Sequence, residues 1–379
     1  MTASHEDGDR IPLAEPAIGD REVDRASSAI ESGQLAHGEE VDAFESAFAE
    51  FCDVEHAVGT SNGTTALHAA LRAFGIGDGD RVVTSPFTFV ATANAVRLCG
   101  AEPVFADVDM ETFNLDPHAV RAAIREHDGD VDAILAVHLY GLPAAMDELR
   151  TIADEYDAAL IEDAAQAHGA RFKGRPVGSL GDAACFSFYP TKNMTTGEGG
   201  AVVTDDDEVA RRCRQFVDHG RGEEGLIESV GHNFRMTDIA AAIGRVQLEK
   251  LPTFNRRRRV HARRLTETLD GTSLITPVEP PDRTHVYHQY TIRTQHREEL
   301  VDHLDDAGIG TGVYYPRAIH QEPAYSHRDV SLPVAERSAE EVLSLPVHPA
   351  LSESELERIT AALATFTPGS EAARSLKHD

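Results

Sequence analysis

The chain has 379 residues, a formal net charge of −29 and a hydrophobic share of 41%. That share supports a buried core and excludes wholesale disorder, while the length suggests two or three domain-sized units. With 64 acidic residues against 35 basic ones, the surface repels polyphosphate, which excludes general nucleic-acid binding.

Residues 1–12 and 367–379 are polar and read as disordered tails. Gln34–Phe51 has apolar residues at helical spacing, and Thr64–Phe74 is a second amphipathic helix. Arg81–Ser85 and Pro103–Val108 are short β-branched runs bounded by turn residues. Pro117–Glu126 reads as helix, Ala133–Leu139 as a buried strand and Ala144–Tyr156 as helix. Ala158–Ile161, Ala183–Phe188 and Gly200–Thr204 complete the strands of this half. Strands alternating with helices imply an α/β fold with a mostly parallel sheet covered on both faces. After a helix ending near Leu251 the rhythm changes. A helical stretch Leu251–Leu269, a half-exposed strand Val286–Arg293 and helices Arg297–Ala307 and Ser352–Thr365 suggest a smaller α+β domain. The expected division is 13–250 and 251–366. The basic run Arg256–Arg259 reads as a solvated or interdomain face.

No run is apolar enough to span a bilayer, and the polar N-terminus offers no secretory signal. Cys52, Cys99, Cys185 and Cys213 form no CxxC pair, so neither a disulfide framework nor a zinc knuckle is expected. His285 and His288 lack further ligands at metal spacing, and Gly75–Gly79 precedes a strand rather than a helix, so it reads as a turn. A soluble cytoplasmic protein is the expectation.

The chemistry starts from lysine, which is scarce: only Lys173, Lys192, Lys250 and Lys377 occur. That scarcity, with the acidic surface, points to a salt-adapted source, the alternative being an ordinary acidic enzyme. Lys192 is the one charged residue between Ala183 and Gly197. Lysine, unlike arginine, can lose its proton when desolvated, and only the free amine attacks a carbonyl. Read alone, Lys192 is either such an amine or a surface loop residue. Glu162-Asp163 ends an apolar run, where open α/β sheets bind ligands and a carboxylate can meet a cationic ring nitrogen. The same pair could instead cap the next segment. Gly59-Thr-Ser-Asn-Gly-Thr-Thr opens a helix, and free N–H groups there suit a phosphate. Gly59–Gly63 also spells GxSxG, the nucleophile elbow of a serine hydrolase, with Ser61 as nucleophile.

Several motifs in order resemble the DegT/DnrJ/EryC1/StrS sugar aminotransferases, which are fold-type I pyridoxal-phosphate enzymes. They are Ser61-Asn-Gly-Thr-Thr-Ala-Leu, Pro86-Phe-Thr-Phe-Val-Ala-Thr-Ala-Asn, Val137-His-Leu-Tyr-Gly, Ile161-Glu-Asp-Ala-Ala-Gln-Ala-His-Gly, Ser187-Phe-Tyr-Pro-Thr-Lys-Asn, Gly197-Glu-Gly-Gly, Gly231-His-Asn-Phe-Arg-Met and Leu345-Pro. The likeness runs from about Pro16 to Phe366. It implies pyridoxal 5'-phosphate as cofactor and a large cofactor-binding domain with a small C-terminal one. Lys192 falls on the lysine that holds the cofactor aldehyde and then moves the proton. Asp163 falls on the carboxylate beside the ring nitrogen, and Gln166 on the amide near the phenolic oxygen. Ser187, Gly63 and Thr64 match phosphate ligands, and Phe89 matches the aromatic stacked on the ring. Asn233 falls where a partner subunit completes the phosphate site, which implies a homodimer with shared active sites. Tyr314, Tyr315 and His320 resemble the substrate wall. Related sugar 3-dehydratases have histidine at the Lys192 position, so lysine here favours transamination. The implied reaction moves an amino group from glutamate or glutamine to a nucleotide-linked keto sugar, at C3 or C4. A non-catalytic regulator with this fold, and the Ser61 hydrolase, are the alternatives.

Overall fold

The computed structural model describes residues 10–222, 224–326 and 330–369. Its centre is a seven-stranded sheet of β1 (His56–Thr60), β2 (Arg81–Thr84), β3 (Glu102–Phe105), β4 (Ala133–Val137), β5 (Ala159–Asp163), β8 (Ala183–Ser187) and β9 (Gly200–Thr204). Two short strands, β6 (Arg171–Phe172) and β7 (Arg175–Pro176), lie between β5 and β8 in the chain. The spatial order is β1-β9-β8-β5-β4-β2-β3. Neighbours from β3 through β8 run parallel, whereas β9 is antiparallel to both β8 and β1. The cause is local. Only a loop, not a crossover helix, joins β8 to β9, so β9 has to return antiparallel.

The sheet's period of two builds two cores. Val83, Ile134, Ala136 and Leu160 join one apolar cluster, while Val82, Ala133, Leu135 and Ile161 join the other. Both faces are covered, as the near-continuous apolar β4 and β5 require. The carboxyl ends of β5 and β8 lie side by side, because Asp163 pairs with Cys185 two residues before Ser187. That edge holds the cavity described below.

A third cluster gathers Leu265, Tyr290, Leu300, Leu345, Ile359 and Leu363 around a two-stranded antiparallel sheet. Those strands are β11 (Tyr290–Arg293) and β12 (Val342–Leu345); β10 (Arg283–Thr284) pairs with β6 instead. Three details differ from the sequence reading. Helix does not end near Leu251: one helix runs from Asp238 to Leu269 with Pro252 inside it. It survives the lost N–H because it packs Leu251 in the first cluster and Leu265 in the third. The half-exposed strand is shorter and more buried, since Tyr290–Ile292 are enclosed and residues 286–289 form a separate bend. Residues 10–12 are no loose tail. Ile11 is buried, its N–H donates to Gly308 O (2.9 Å) and its carbonyl accepts from Gly310 N (2.8 Å). Of the other expected tail, residues 367–369 are described, with Gly369 N donating to Glu299 Oε2 (2.8 Å); residues 1–9 and 370–379 lie outside the described residues.

The basic run splits by helical phase. Arg256 and Arg257 are exposed, while Arg258 is buried and donates to Tyr287 O and His288 O. Among the described residues, no helix is long and apolar enough to cross a membrane, and no group of His, Cys, Asp and Glu could hold a metal ion.

Candidate active site

At the carboxyl edge of the sheet lies a cavity of about 910 Å³. Its walls hold nine of the predicted site residues: Gly63, Thr64, Phe89, Asp163, Gln166, Ser187, Lys192, Tyr314 and Tyr315. They come from five separate segments of the chain.

Lys192 sits in the β8–β9 loop, and its backbone N–H donates to Tyr189 O (2.9 Å). Burial lowers the amine from its ordinary value to about 8, against the pull of Asp163, which raises it. Desolvation therefore leaves roughly a tenth of the amine free at pH 7, against under about a thousandth for an ordinary lysine. Asp163 ends β5. Burial raises its carboxyl, while hydrogen bonds from Thr92 Oγ1 (2.7 Å) and Ala165 N (3.2 Å) favour the charged form. A buried anion held by donors, beside an open cavity, is a seat for a cation.

Glu162 does something else. Strand alternation turns it away from Asp163 into the core, where it is fully buried. It accepts from Gly178, Leu180 and Gly181 N–H groups (3.1, 2.9 and 2.8 Å) and from His138 Nε2 (2.9 Å). His138 Nδ1 accepts from Ala144 N, so Nε2 bears the proton that Glu162 receives. Glu162→Ala would leave these donors buried and unpaired. We expect it to cost about 3–5 kcal/mol, read by urea unfolding, with no direct effect on the cavity.

The helix from Gly63 to Ala73 begins at the cavity wall. Asn62 caps it by accepting from Thr65 N (2.9 Å), and Thr65 Oγ1 accepts from Asn62 N in return (3.1 Å). The first helical N–H groups, those of Gly63 and Thr64, have no partner inside the helix. A Cβ at Gly63 would lie 2.6 Å from Ser187 Cβ, so only glycine lets the helix start meet Ser187. Together they form a neutral cradle of donors suited to phosphate. Gln166 is fixed on both sides: its Oε1 accepts from Tyr140 N (2.7 Å) and its Nε2 donates to Tyr315 OH (3.1 Å). Phe89 is 56% exposed, an open aromatic face in the wall.

Two predicted residues lie elsewhere. His320 is buried against Glu336, with Nε2 and Oε1 3.0 Å apart, and does not line the cavity. Asn233 is exposed on the segment that pairs with Asp218, also away from this chain's own cavity. Ser61 has the strand–turn–helix setting of an elbow, yet its hydroxyl bonds Thr65 Oγ1 (3.2 Å) and the cavity walls exclude it. That removes the basis for a hydrolase. Sequence reasoning missed Thr92, which holds Asp163, and His288 and Gln289, which close one side. Thr92 stood inside a quoted motif, and His288 was weighed only as a metal ligand.

Comparisons with known proteins identify the family. The profile of the DegT/DnrJ/EryC1/StrS aminotransferase family matches residues 16–364. The "Pleiotropic regulatory protein" of Geobacillus stearothermophilus is 41% identical over 344 residues, 89% of this chain and 92% of that one. The dTDP-3-amino-3,4,6-trideoxy-alpha-D-glucose transaminase of Streptomyces venezuelae is 42% identical, over 88% of this chain and 89% of the relative. The crystal structure of S. venezuelae DesV superposes with a TM-score of 0.87 at 41% identity, covering 90% of this chain and 93% of that one.

The family and its solved structures are pyridoxal-phosphate-dependent, and the residues present fit that group. Lys192 would bind its aldehyde, Asp163 its ring nitrogen, and Gly63, Thr64 and Ser187 its phosphate. The Gly63–Ser187 approach, which a Cβ would fill, is the feature of the wall that a phosphate cradle demands. An α/β fold with a mostly parallel sheet, a half-buried lysine and a buried aspartate on one cavity at its carboxyl edge, and a family match over most of the length lead to one conclusion: the chain belongs to the DegT/DnrJ/EryC1/StrS aminotransferase family and is a pyridoxal-phosphate-dependent aminotransferase.

Proposed function

We propose that the protein moves an amino group from glutamate or glutamine to a keto carbon of a sugar carried on a nucleoside diphosphate, in making a cell-surface polysaccharide or other glycoconjugate in the cytoplasm. The carrying observation is the convergence of Lys192 and Asp163 on a cavity of about 910 Å³, more room than a small amino acid needs. The transaminase relative that acts on a dTDP sugar supports this substrate class. Bound pyridoxal phosphate supplies an aldehyde for amine exchange and a ring that withdraws electrons. The Lys192 amine would be the group that removes and returns the proton at the substrate carbon. Asp163 would keep the ring nitrogen protonated, and Gln166 and Phe89 would help to hold and orient the ring. In this reading residues 13–250 bind the cofactor, and 251–366 close the cavity with His288, Gln289, Tyr314 and Tyr315.

The test is a screen of nucleotide keto sugars with glutamate and glutamine, followed by product mass and NMR, which also reports C3 or C4. The name of the Geobacillus relative favours one competitor, a regulator without turnover. A bound-cofactor absorbance that does not respond to any amino donor would support that competitor instead.

The reading includes a dimer whose partner's Asn233 reaches the phosphate. Asn233 lies on an arm whose Leu226, Ile227 and Val230 are 62%, 64% and 90% exposed, apolar surface that a second copy would cover. Each protomer carries −29, and a salt-adapted surface relies on counter-ions. The Debye length falls from about 10 Å at 0.1 M to about 3 Å at 1 M salt. We expect dilution into low salt to loosen the dimer and release cofactor together. Light scattering and cofactor absorbance across a salt series check it. A fully active monomer would remove the shared site, and a dimer indifferent to salt would remove the halophilic part.

A further inference from the structure

Residues 286–289 form a bend whose backbone is held at Val286, Tyr287 and Gln289. Val286 N donates to Gly141 O (3.1 Å), Tyr287 N to His285 Nδ1 (3.0 Å) and Gln289 N to Tyr140 O (3.3 Å). Its carbonyls are held as firmly. Asn193, the residue after Lys192, donates from Nδ2 to Val286 O (3.1 Å) and to Asn255 Oδ1 (2.9 Å). Arg258, one turn further along the long helix, donates to Tyr287 O (3.1 Å) and His288 O (3.3 Å). The ring on this braced bend is the exception. His288 is 6% exposed and lines the cavity with Lys192, yet its Nδ1 has no hydrogen-bond partner. With three N–H groups and three carbonyls of the bend engaged, the buried and unpartnered Nδ1 is the group left for something else.

We propose that His288 is a hydrogen-bond partner of the Lys192 amine: an uncharged imidazole accepts one amine N–H, leaving the amine's lone pair aimed at the substrate carbon. This rests on the reading of Lys192 as the amine that moves the proton. Among the described residues no hydrogen bond engages the Lys192 amine, and the charge that favours its ammonium form is that of Asp163. The imidazole stays uncharged because burial, then the charges of Lys192 and Arg258 and the rings of His168 and His285, hold it well below its ordinary value. A neutral imidazole keeps one acceptor nitrogen, which an imidazolium lacks. Asn255 and Arg258 are then positioning residues. They act through the bend, and they join the Lys192 loop to the helix that spans both parts of the fold.

His288→Gln and His288→Met test this, because the two side chains are close in shape and differ in whether they can hydrogen-bond. Thermal unfolding and cofactor absorbance establish that each variant is folded and loaded. His288→Met should lower kcat roughly ten- to a hundredfold, the effect of one lost oriented hydrogen bond, with KM little changed. His288→Gln should recover most of that loss. A second readout needs no turnover. In the full chain freed of cofactor, the labelling of Lys192 by an acylating reagent, mapped by peptide mass, is followed against pH. An acceptor favours the ammonium, so the midpoint should drop in His288→Met and stay near the parental value in His288→Gln. Parental kcat and midpoint in the Met variant, or equal losses in both variants, would overturn the inference. A parent that transfers no amino group would instead refute the proposed function, while the labelling midpoints still decide the role of His288.

Discussion

Replacing Lys192 with alanine or arginine will reduce turnover to background, a loss of roughly a thousandfold or more, because neither side chain offers a free amine. Arginine is the sharper test. It keeps the positive charge beside Asp163 but cannot deprotonate, so a site that needed only charge would survive it. Borohydride treatment of the loaded enzyme should fix the cofactor to Lys192. A label on Lys173 or Lys250 would overturn the assignment. Lys173 and Lys250 are already engaged, Lys173 by Asp147 and Lys250 by both oxygens of Glu22 (2.6 and 2.7 Å). The pH dependence follows the same cause. With its amine lowered to about 8 by burial, Lys192 in the cofactor-free chain should become reactive as pH rises through about 8, not through the ordinary lysine value. A labelling midpoint near the ordinary 10.5 would mean that water solvates the amine and would overturn this expectation.

Asp163→Asn should keep the fold and cripple the reaction by about a hundredfold or more. The amide has the carboxylate's shape and can keep the hydrogen bond from Thr92, but it cannot balance a protonated ring nitrogen. Here the buried site works against itself. Burial pushes the Asp163 carboxyl up towards its neutral form, and the cation of a bound ring restores the charge. The variant should therefore also hold cofactor more weakly, seen as lower absorbance per chain after dialysis. Parental turnover in Asp163→Asn would reduce Asp163 to a structural residue and displace the ring from the position argued above.

Much of this was legible in the residues themselves. Alternation of short apolar runs with helical spacing was enough for an α/β fold, because parallel strands buried on both faces need near-continuous apolar residues. Lys192 stood out by charge alone, a lone ammonium in an uncharged window, and Asp163 by ending an apolar strand. The strand end mattered more than the residue type: the same stretch holds Glu162, and only the pleat decides which carboxylate enters the core and which the cavity. Helix Asp20–Ser32 and helix Ala91–Leu98 went unread, and so did the continuity of Asp238–Leu269. Proline at 252 reads locally as a stop, but packing at both ends of that helix outweighs one missing hydrogen bond.

What the sequence determined by itself, then, was local in origin: strand and helix periodicity, the glycine and hydroxyl turn at Gly63, and the isolation of one lysine. The tertiary structure decided what depends on distant segments meeting. It brought Thr92 onto Asp163, 71 positions away, and Tyr315 onto Gln166, 149 positions away. It withdrew His320 into a bond with Glu336, although its neighbours Tyr314 and Tyr315 line the cavity. It also turned His288 from a discarded metal ligand into a wall of the site. The physical reason is common to all four. A side chain's neighbours along the chain set its backbone conformation, whereas its solvent, its partners and its proton affinity are set by whatever the fold packs against it.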